Sequence, residues 1–520
     1  MEEITGDESV RIDTPWAVEL CGLILGPVVL LGWIYAVPPG SLSPEAHRLA
    51  GIMLLTILWW VTEPIPIPAT GLLAVALAVF LRAVPIEGTG GAFQPARIVL
   101  APFADPSVYF LLGGMFIGRA MTRHGLDRRI ALSILCTRWA GRSPGSVLLG
   151  VGLSVALVSM WISNTAATAM IYPVTMGIIA VLAASQGAGQ QAFACKPYAS
   201  TLLLMTAYAS SVGGIATPIG TATNIVAMGF FKRPEYLGQS IDFLRWSLVG
   251  IPMMAVIFLG LFLWLRTRTG ASGLDMPALR SFLVAERSRL GPWGRGEKHT
   301  LTVFLAAVAL WVTPGILAMF ASQETQQAFS HRFPEEIVAQ LIPVFLFLLP
   351  VDWRQRKFAL EPADFSHLDW GTMLLFGAGL SLGSLMVKTG LAQAIGQHAF
   401  ELLGTRDEWL ITALAIVGGI VLSEFTSNAA AVSTLIPVVW SICESAHVAP
   451  LPPLMGVTFA ASFGSALPVS TPPNAIVYGS RLIPVRRMIV AGLGLDVISG
   501  LAIWIVLRVS FSIGWTPVLD

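Results

Sequence analysis

Apolar runs about 20 residues long recur from Trp16 to Trp504, and that recurrence restricts the chain more than any other feature. Wound as a helix, such a run matches the roughly 30 Å hydrocarbon layer of a bilayer. Hydrophobic residues make up 55% of the 520 and charged residues 12%, where a soluble domain would carry about a quarter charged. Lipid is therefore the solvent for most of the chain, and the expected fold class is an all-α polytopic membrane protein.

The net charge of +1 and the lack of a basic stripe give no sign of a nucleic-acid partner. Residues Met1 to Asp13 are acidic and polar, unlike a cleaved leader, so Trp16 to Tyr35 reads as a first span. Cys21, Cys136, Cys195 and Cys443 are too scattered for a disulfide framework or a metal site. Two apolar segments, 146–183 and 408–446, are too long for one crossing and carry polar residues at their centres. They are expected to be hairpins that enter and leave by one face, alongside about 11 transmembrane helices.

Basic residues collect in four loops. Arg119, Arg123, Arg128, Arg129, Arg138 and Arg142 form the first; Arg266, Arg268, Arg280, Arg287, Arg289, Arg295 and Lys298 the second. Arg354, Arg356 and Lys357 form the third, and Arg481, Arg486 and Arg487 the fourth. Basic loops stay in the cytoplasm, which predicts a multi-pass cell-membrane protein with a cytoplasmic N-terminus and an external C-terminus. Thr267 to His299 reads as a cytoplasmic connector with too few apolar residues for a core of its own.

The chain also resembles itself. Leu112 to Leu126 (LGGMFIGRAMTRHGL) aligns with Gly377 to Leu391 (GAGLSLGSLMVKTGL), setting Gly118 against Gly383. Ser159 to Val174 (SMWISNTAATAMIYPV) aligns with Ser423 to Val438 (SEFTSNAAAVSTLIPV), setting Ser163 against Ser427. Gly214 to Val226 (GIATPIGTATNIV) aligns with Gly464 to Ile476 (GSALPVSTPPNAI), setting Pro218 against Pro468. Three blocks in one order at nearly one offset define two repeats. The topology above makes them inverted, so that equivalent blocks meet near the midplane. Gly114 with Gly118, and Gly379 with Gly383, have the spacing of close helix packing.

The central motifs can do specific chemistry. Ser163-Asn164-Thr165 and Ser427-Asn428-Ala429 lie where each long segment must break, and Pro218, Gly220, Pro468, Pro472 and Pro473 should unwind Gly214–Asn224 and Gly464–Asn474. Broken helices leave free amides that suit an anion and free carbonyls that suit a cation. Serine and asparagine in a span commonly bond a neighbouring helix instead; their duplication beside duplicated breaks favours a binding site. No arginine or lysine falls in these motifs, so positive charge for an anion must come from helix termini, amides and co-bound cations. Glu424 is open to three readings: a proton or cation role, a satisfied buried contact, or a pair with a basic residue.

With V-T-E-P-I-P-I-P-A-T-G-L-L at Val61 to Leu73, the paired S-N-T and S-N-A, and S-T-P-P-N-A-I-V-Y-G-S at Ser470 to Ser480, the chain resembles the divalent-anion/sodium symporter family of di- and tricarboxylate and sulfate carriers. The likeness runs from about Ala46 to Leu507. It implies a homodimer whose transport parts slide like elevators against a scaffold. It also implies a sodium site at Ser159, Ser163, Asn164 and Gly220, and a second at Ser423, Thr426, Asn428 and Ser470. Substrate carboxylates would touch Ser163, Asn164, Thr165, Thr221, Ser427, Asn428 and Pro472. Two departures bear on substrate choice: Ala429 stands where the first motif has Thr165, and Ala222-Thr223 where the second repeat has Pro472-Pro473.

The expected domains are a tail at 1–15, first-repeat scaffold helices at 16–142 and a first transport part at 143–266. The connector at 267–299, second-half scaffold helices at 300–404 and a second transport part at 405–520 follow. The expected function is secondary transport of small divalent anions, C4-dicarboxylates first, coupled to sodium and needing no cofactor. Exchange of one di- or tricarboxylate or sulfate anion for another is the alternative. A channel and a membrane enzyme are the rivals from other classes. The enzyme is disfavoured because there is no H-E-x-x-H or Walker loop, and Gly492-Leu493-Gly494-Leu495-Asp496 misplaces the acid for an intramembrane aspartyl protease.

Overall fold

The computed structural model describes residues 16–85, 94–184, 196–269 and 276–514. The expected tail at 1–15 and Cys195 lie outside them. The described residues are almost entirely helical, with one two-stranded ladder.

The first half runs through α1 (Trp16–Ala36), α2 (Pro44–Thr62), α3 (Ile67–Phe80), α4 (Gln94–Leu100), α5 (Pro106–His124) and α6 (Leu126–Leu135). A hairpin of α7 (Pro144–Ser159) and α8 (Asn164–Ala184) follows. Next come a broken pair, α9 (Lys196–Gly214) and α10 (Ala222–Phe231), and then α11 (Phe243–Arg266). The amphipathic α12 (Met276–Ser288) lies in the expected connector, and α13 (Arg295–Phe320) begins before that connector was expected to end. The second half continues with α14 (Gln323–Arg332), α15 (Glu335–Leu348), the ladder β1 (Pro350–Asp352) and β2 (Lys357–Phe358), α16 (Trp370–Lys388) and α17 (Leu391–Leu403). Its hairpin is α18 (Glu408–Phe425) and α19 (Asn428–Ala446), its broken pair α20 (Leu451–Ala460) and α21 (Pro472–Tyr478), and α22 (Val485–Ser512) closes it.

Among the described residues nine helical stretches are long and apolar enough to cross a bilayer, and α3, α7, α10 and α20 are shorter apolar helices. Exposed apolar stripes mark where lipid would lie: Leu493, Val497, Leu501, Ile505 and Val509 fall four residues apart along one face of α22. Association of such helices in lipid depends on close packing and polar contacts, since burying one apolar face against another releases no water.

Equivalent elements make equivalent contacts. The α7–α9 packing is repeated by α18–α20, and the α11–α9 packing by α22–α20. Other contacts cross between halves: α3 packs on α16 and α15 on α5, while α10 packs on α19 and α21 on α8. Each half therefore supplies surfaces that complete the other.

The expected glycine packing differs in one repeat. Methyl groups at Gly379 and Gly383 would collide with Ser433 and Phe230, whereas Gly114 and Gly118 have ordinary room. The tight glycine of α5 is Gly113, where a methyl would run into the backbone carbonyl of Ala339 in α15. Helix-to-helix contact, more than residue spacing, decides which glycine is needed.

Ion pairs and hydrogen bonds tie three of the four basic clusters to neighbouring loops and to one another. Arg119 meets Asp364 at 2.8 Å, and Arg123 reaches Glu361 at 2.8 Å and Asp364 as well. Arg128 meets Glu286 at 2.7 Å and Arg129 meets Glu297 at 2.6 Å. Arg487 donates to the Arg268 carbonyl at 2.8 Å and to Thr201 Oγ1 at 2.9 Å. Burial pushes Asp364 up, but the Glu361 amide and the two guanidiniums outweigh it and hold the carboxyl below its ordinary range.

Candidate functional site

The hairpins break at the duplicated motifs. Helix α7 ends at Ser159 and α8 starts at Asn164; α18 ends at Phe425 and α19 starts at Asn428. In the broken pairs, the chain is unwound between Gly214 and Ala222 apart from a 3-10 turn at Pro218–Gly220. In the second repeat the break begins at Ala461, three residues ahead of the expected Gly464, and lasts until Pro472. Pro468, Pro472 and a run of small residues leave that stretch fewer helix-forming positions.

At the first break, Ser159 Oγ lies 2.8 Å from Asn164 Oδ1 and 2.8 Å from the Ser210 carbonyl. At the second, Ser423 Oγ lies 2.7 Å from Asn428 Oδ1 and 2.7 Å from the Ala461 carbonyl. Both serines are completely buried. A hydroxyl has one proton, so it cannot serve both neighbours at once. Each cluster thus brings three oxygens together with one proton among them, a donor set suited to a hard cation. If the amide turns so that Nδ2 donates to the serine, the same groups are satisfied without a cation.

The first cluster is backed by glycine. Gly214 abuts the Asn164 amide, and a methyl on Gly220 would collide with the Gly214 carbonyl and press on that of Met160. Gly464 lies equally close to the Ser423 carbonyl. Asparagines hold the unwound strands in shape: Asn224 Nδ2 donates to the Gly214 carbonyl at 3.0 Å and the Thr217 carbonyl at 2.8 Å. Asn474 Nδ2 donates likewise to Gly464 at 3.2 Å and Leu467 at 3.0 Å. Thr217 Oγ1 donates to the Met160 carbonyl, tying the first unwound strand to its hairpin tip.

The structure brings Ser159, Asn164 and Gly220 into one knot, and Ser423 with Asn428 into its counterpart. The other residues expected to hold sodium are placed differently. Ser163 is exposed at the tip and accepts the Ala166 amide at 3.3 Å. Ser470 Oγ lies 2.8 Å from both the backbone carbonyl and the carboxylate of Glu424, to either of which it can donate, rather than meeting Asn428. Thr426 is buried with its hydroxyl unbonded.

Of the residues expected to touch substrate, Ser163, Thr165 and Pro472 are exposed, Asn164, Ser427 and Asn428 half-buried, and Thr221 buried. Ser427 caps α19 by accepting the Ala430 amide at 3.3 Å, and Thr221 precedes α10. These residues lie at helix N-termini, where unpaired amides and the helix dipole favour anionic groups.

Sequence reasoning did not single out Asn224, Asn474, Thr471 or the carbonyls of Ser210 and Ala461. The two asparagines were legible in principle, because they share the offset of the third repeat block. Thr471 caps α21 through the Asn474 amide and is the counterpart of Thr221, a role the neighbouring prolines obscured. Backbone carbonyls leave no trace in residue identity.

Glu424 is buried and satisfied. It accepts the Ala466 amide at 2.8 Å, the Leu467 amide at 3.2 Å and the Ser470 hydroxyl, binding the second unwound strand to the second hairpin. That favours the buried polar contact among its expected roles, and no basic side chain among the described residues forms a salt bridge with it.

Against known proteins, residues 18–519 match the model of the sodium:sulfate symporter transmembrane region. The sodium-dependent dicarboxylate transporter SdcS of Staphylococcus saprophyticus is 31% identical over 485 residues, covering 92% of this chain and 89% of that protein. SdcS of Staphylococcus aureus is 30% identical over 503 residues, covering 94% and 91%. Among solved structures, the YdaH transporter of Alcanivorax borkumensis superposes with a TM-score of 0.56 at 13% identity, over 91% of this chain and all of that one. MtrF of Neisseria gonorrhoeae gives 0.52 at 14%, over 87% and 96%. The two structures share the fold with this chain.

Proposed function

This chain belongs to the sodium:sulfate symporter family and is a secondary transporter of divalent anions rather than an enzyme; from that premise we propose that it carries C4-dicarboxylates coupled to sodium. The observation that carries this reading is the duplicated cluster of serine hydroxyl, asparagine amide oxygen and backbone carbonyl, one at each hairpin tip.

Sodium bound at Ser159, Asn164 and the Gly220 knot, with Ser163 alongside, would turn the Asn164 amide oxygen inward and leave its Nδ2 for the substrate. Ser423, Asn428, Thr426 and Ser470 would do the same in the second half, the last two after a local shift. A dicarboxylate would then lie between the tips, held by Ser163, Asn164, Thr165 and Thr221 on one side and Ser427, Asn428 and Pro472 on the other. The bound cations offset its charge, which explains why a site for a dianion can do without arginine.

The same reading makes the two halves inverted repeats with eleven passes and two re-entrant hairpins. The basic clusters face the cytoplasm, with the N-terminus. The hairpins, broken helices, α11 and α22 make up the transport parts, at 143–266 and 405–520, which slide as an elevator against scaffold parts at 16–142 and 300–404 in a homodimer at the cell membrane. The connector at 267–299, to which α12 belongs, links the halves.

The test is uptake of labelled succinate by proteoliposomes with an imposed sodium gradient, beside vesicles preloaded with unlabelled dicarboxylate and no gradient. Accumulation that requires sodium is expected. Uptake that requires only internal anion would make the protein an exchanger and overturn the coupling.

A further inference from the structure

The arginines of the first basic cluster are not all treated alike. Arg119, Arg123, Arg128 and Arg129 each meet a carboxylate. Arg138 and Arg142, and Arg280 of α12, are exposed, and their side chains have no ion-pair or hydrogen-bond partner among the described residues. These three bare guanidiniums share one groove. A cavity of about 620 Å³ opens between the loop ahead of α7 and α12, with Arg142, Arg280, Met276, Pro277 and Val284 in its walls. A narrower recess lined by Arg138 adjoins it and shares Arg142, Arg280 and Val284.

The groove lies where the lipid-facing surface ends. Arg266, in the last turn of α11, sits beside Gly145 at the start of α7, close in sequence to Arg142. Leu263 and Leu259, earlier on α11, are half exposed and belong to its apolar outer stripe. Just beyond, Arg268 stacks on Trp264 with its guanidinium 4.0 Å from the ring centre. Tryptophan and arginine gather at headgroup depth, where one end of each side chain is apolar and the other wet.

Guanidiniums grouped without carboxylates repel one another, and an anion placed among them replaces repulsion with attraction. The planar fork of arginine matches two oxygens of a phosphate. A free phosphate ion would gain nothing from Met276, Pro277 and Val284, whereas the glycerol and first methylenes of a lipid would bury apolar surface against them. A headgroup held there bridges Arg142, at the foot of the first hairpin, to Arg280 of α12. Helix α12 is already fitted to that hairpin, since Phe282 fills the space over Gly177 of α8.

We propose that this groove binds the phosphodiester headgroup of an anionic phospholipid, clipping α12 to the foot of the first hairpin at a site separate from the substrate and cation positions. The inference goes beyond the transport reading and does not depend on which anion is carried or on what drives it.

The experiment is native mass spectrometry of the full chain, purified in detergent and titrated with phosphatidylglycerol or with zwitterionic phosphatidylcholine. Wild-type protein should bind phosphatidylglycerol about tenfold or more tighter than phosphatidylcholine. The triple variant Arg138→Gln/Arg142→Gln/Arg280→Gln should weaken phosphatidylglycerol binding on the order of 100-fold, about fivefold per arginine. Arg354→Gln/Arg356→Gln/Lys357→Gln removes the same charge from the β1–β2 ladder and should match wild type. Equal loss in both triples would reduce the effect to general charge attraction and overturn the site, as would equal affinity of wild type for the two lipids. Displacement of phosphatidylglycerol by glycerol 1-phosphate would overturn the lipid assignment in favour of a free phosphate. If the first triple fails to fold, Arg280→Glu alone, which reverses the charge of one wall, should abolish the preference between the two lipids; a preference that persists overturns the inference.

Discussion

Asn164 and Asn428 each begin a helix at a point where the one before it has just ended, and each gives its amide oxygen to a buried serine five residues back. Such an amide can present oxygen to a cation and nitrogen to an anion at the same time, through two separate atoms. Asn164→Ala and Asn428→Ala should each lower initial succinate uptake by about 10- to 100-fold, the worth of a hydrogen bond to a charged group, while the protein still elutes as an intact assembly. Near-normal uptake in either variant would contradict the site. Ala429, where the first motif has Thr165, removes one hydroxyl from the second tip. Ala429→Thr should shift preference among succinate, citrate and sulfate, and unchanged competition among the three would mean that this position lies outside substrate contact. These residues were legible because they are duplicated; the carbonyls of Ser210 and Ala461 that complete the clusters were not, since any residue supplies a carbonyl.

Among elements, the breaks at 160–163 and 426–427 followed from polar residues at the centres of apolar runs too long for one crossing. What the sequence left obscure is how elements meet. Gly113 rather than Gly114 bears the close approach of α15, because the helix phase that faces a partner depends on that partner. The loop at Glu361–Asp364 fastens the end of α5 through Arg119 and Arg123. Asp364→Asn should lower stability at pH 7 by about 3 kcal/mol, since it leaves two part-buried guanidiniums short of a partner. Asp364 titrates lower in the folded protein than in the unfolded chain, so its contribution is present at neutral pH and is lost as pH falls through its depressed titration. Thermal unfolding in detergent should show the gap between wild type and variant narrowing with acidification below about pH 4. A gap that stays constant would assign the loss to packing instead of charge.

For the molecule as a whole, two halves exchange surfaces: each broken helix leans on the other half's hairpin, and α3 and α15 each pack on a helix of the opposite half. Neither half is complete alone, so the anion position proposed between the tips belongs to both. Composition and repeat order made this architecture readable from the chain, whereas the exchange of surfaces needed coordinates. The measurement that tests the central claim most directly is a cryo-electron-microscopy map of the protein in nanodiscs with sodium and succinate. The account predicts substrate density between the hairpin tips within hydrogen-bonding distance of both Asn164 and Asn428, with an ion beside Ser159 and another beside Ser423. Succinate bound away from either asparagine, or the same density in choline in place of sodium, would contradict it.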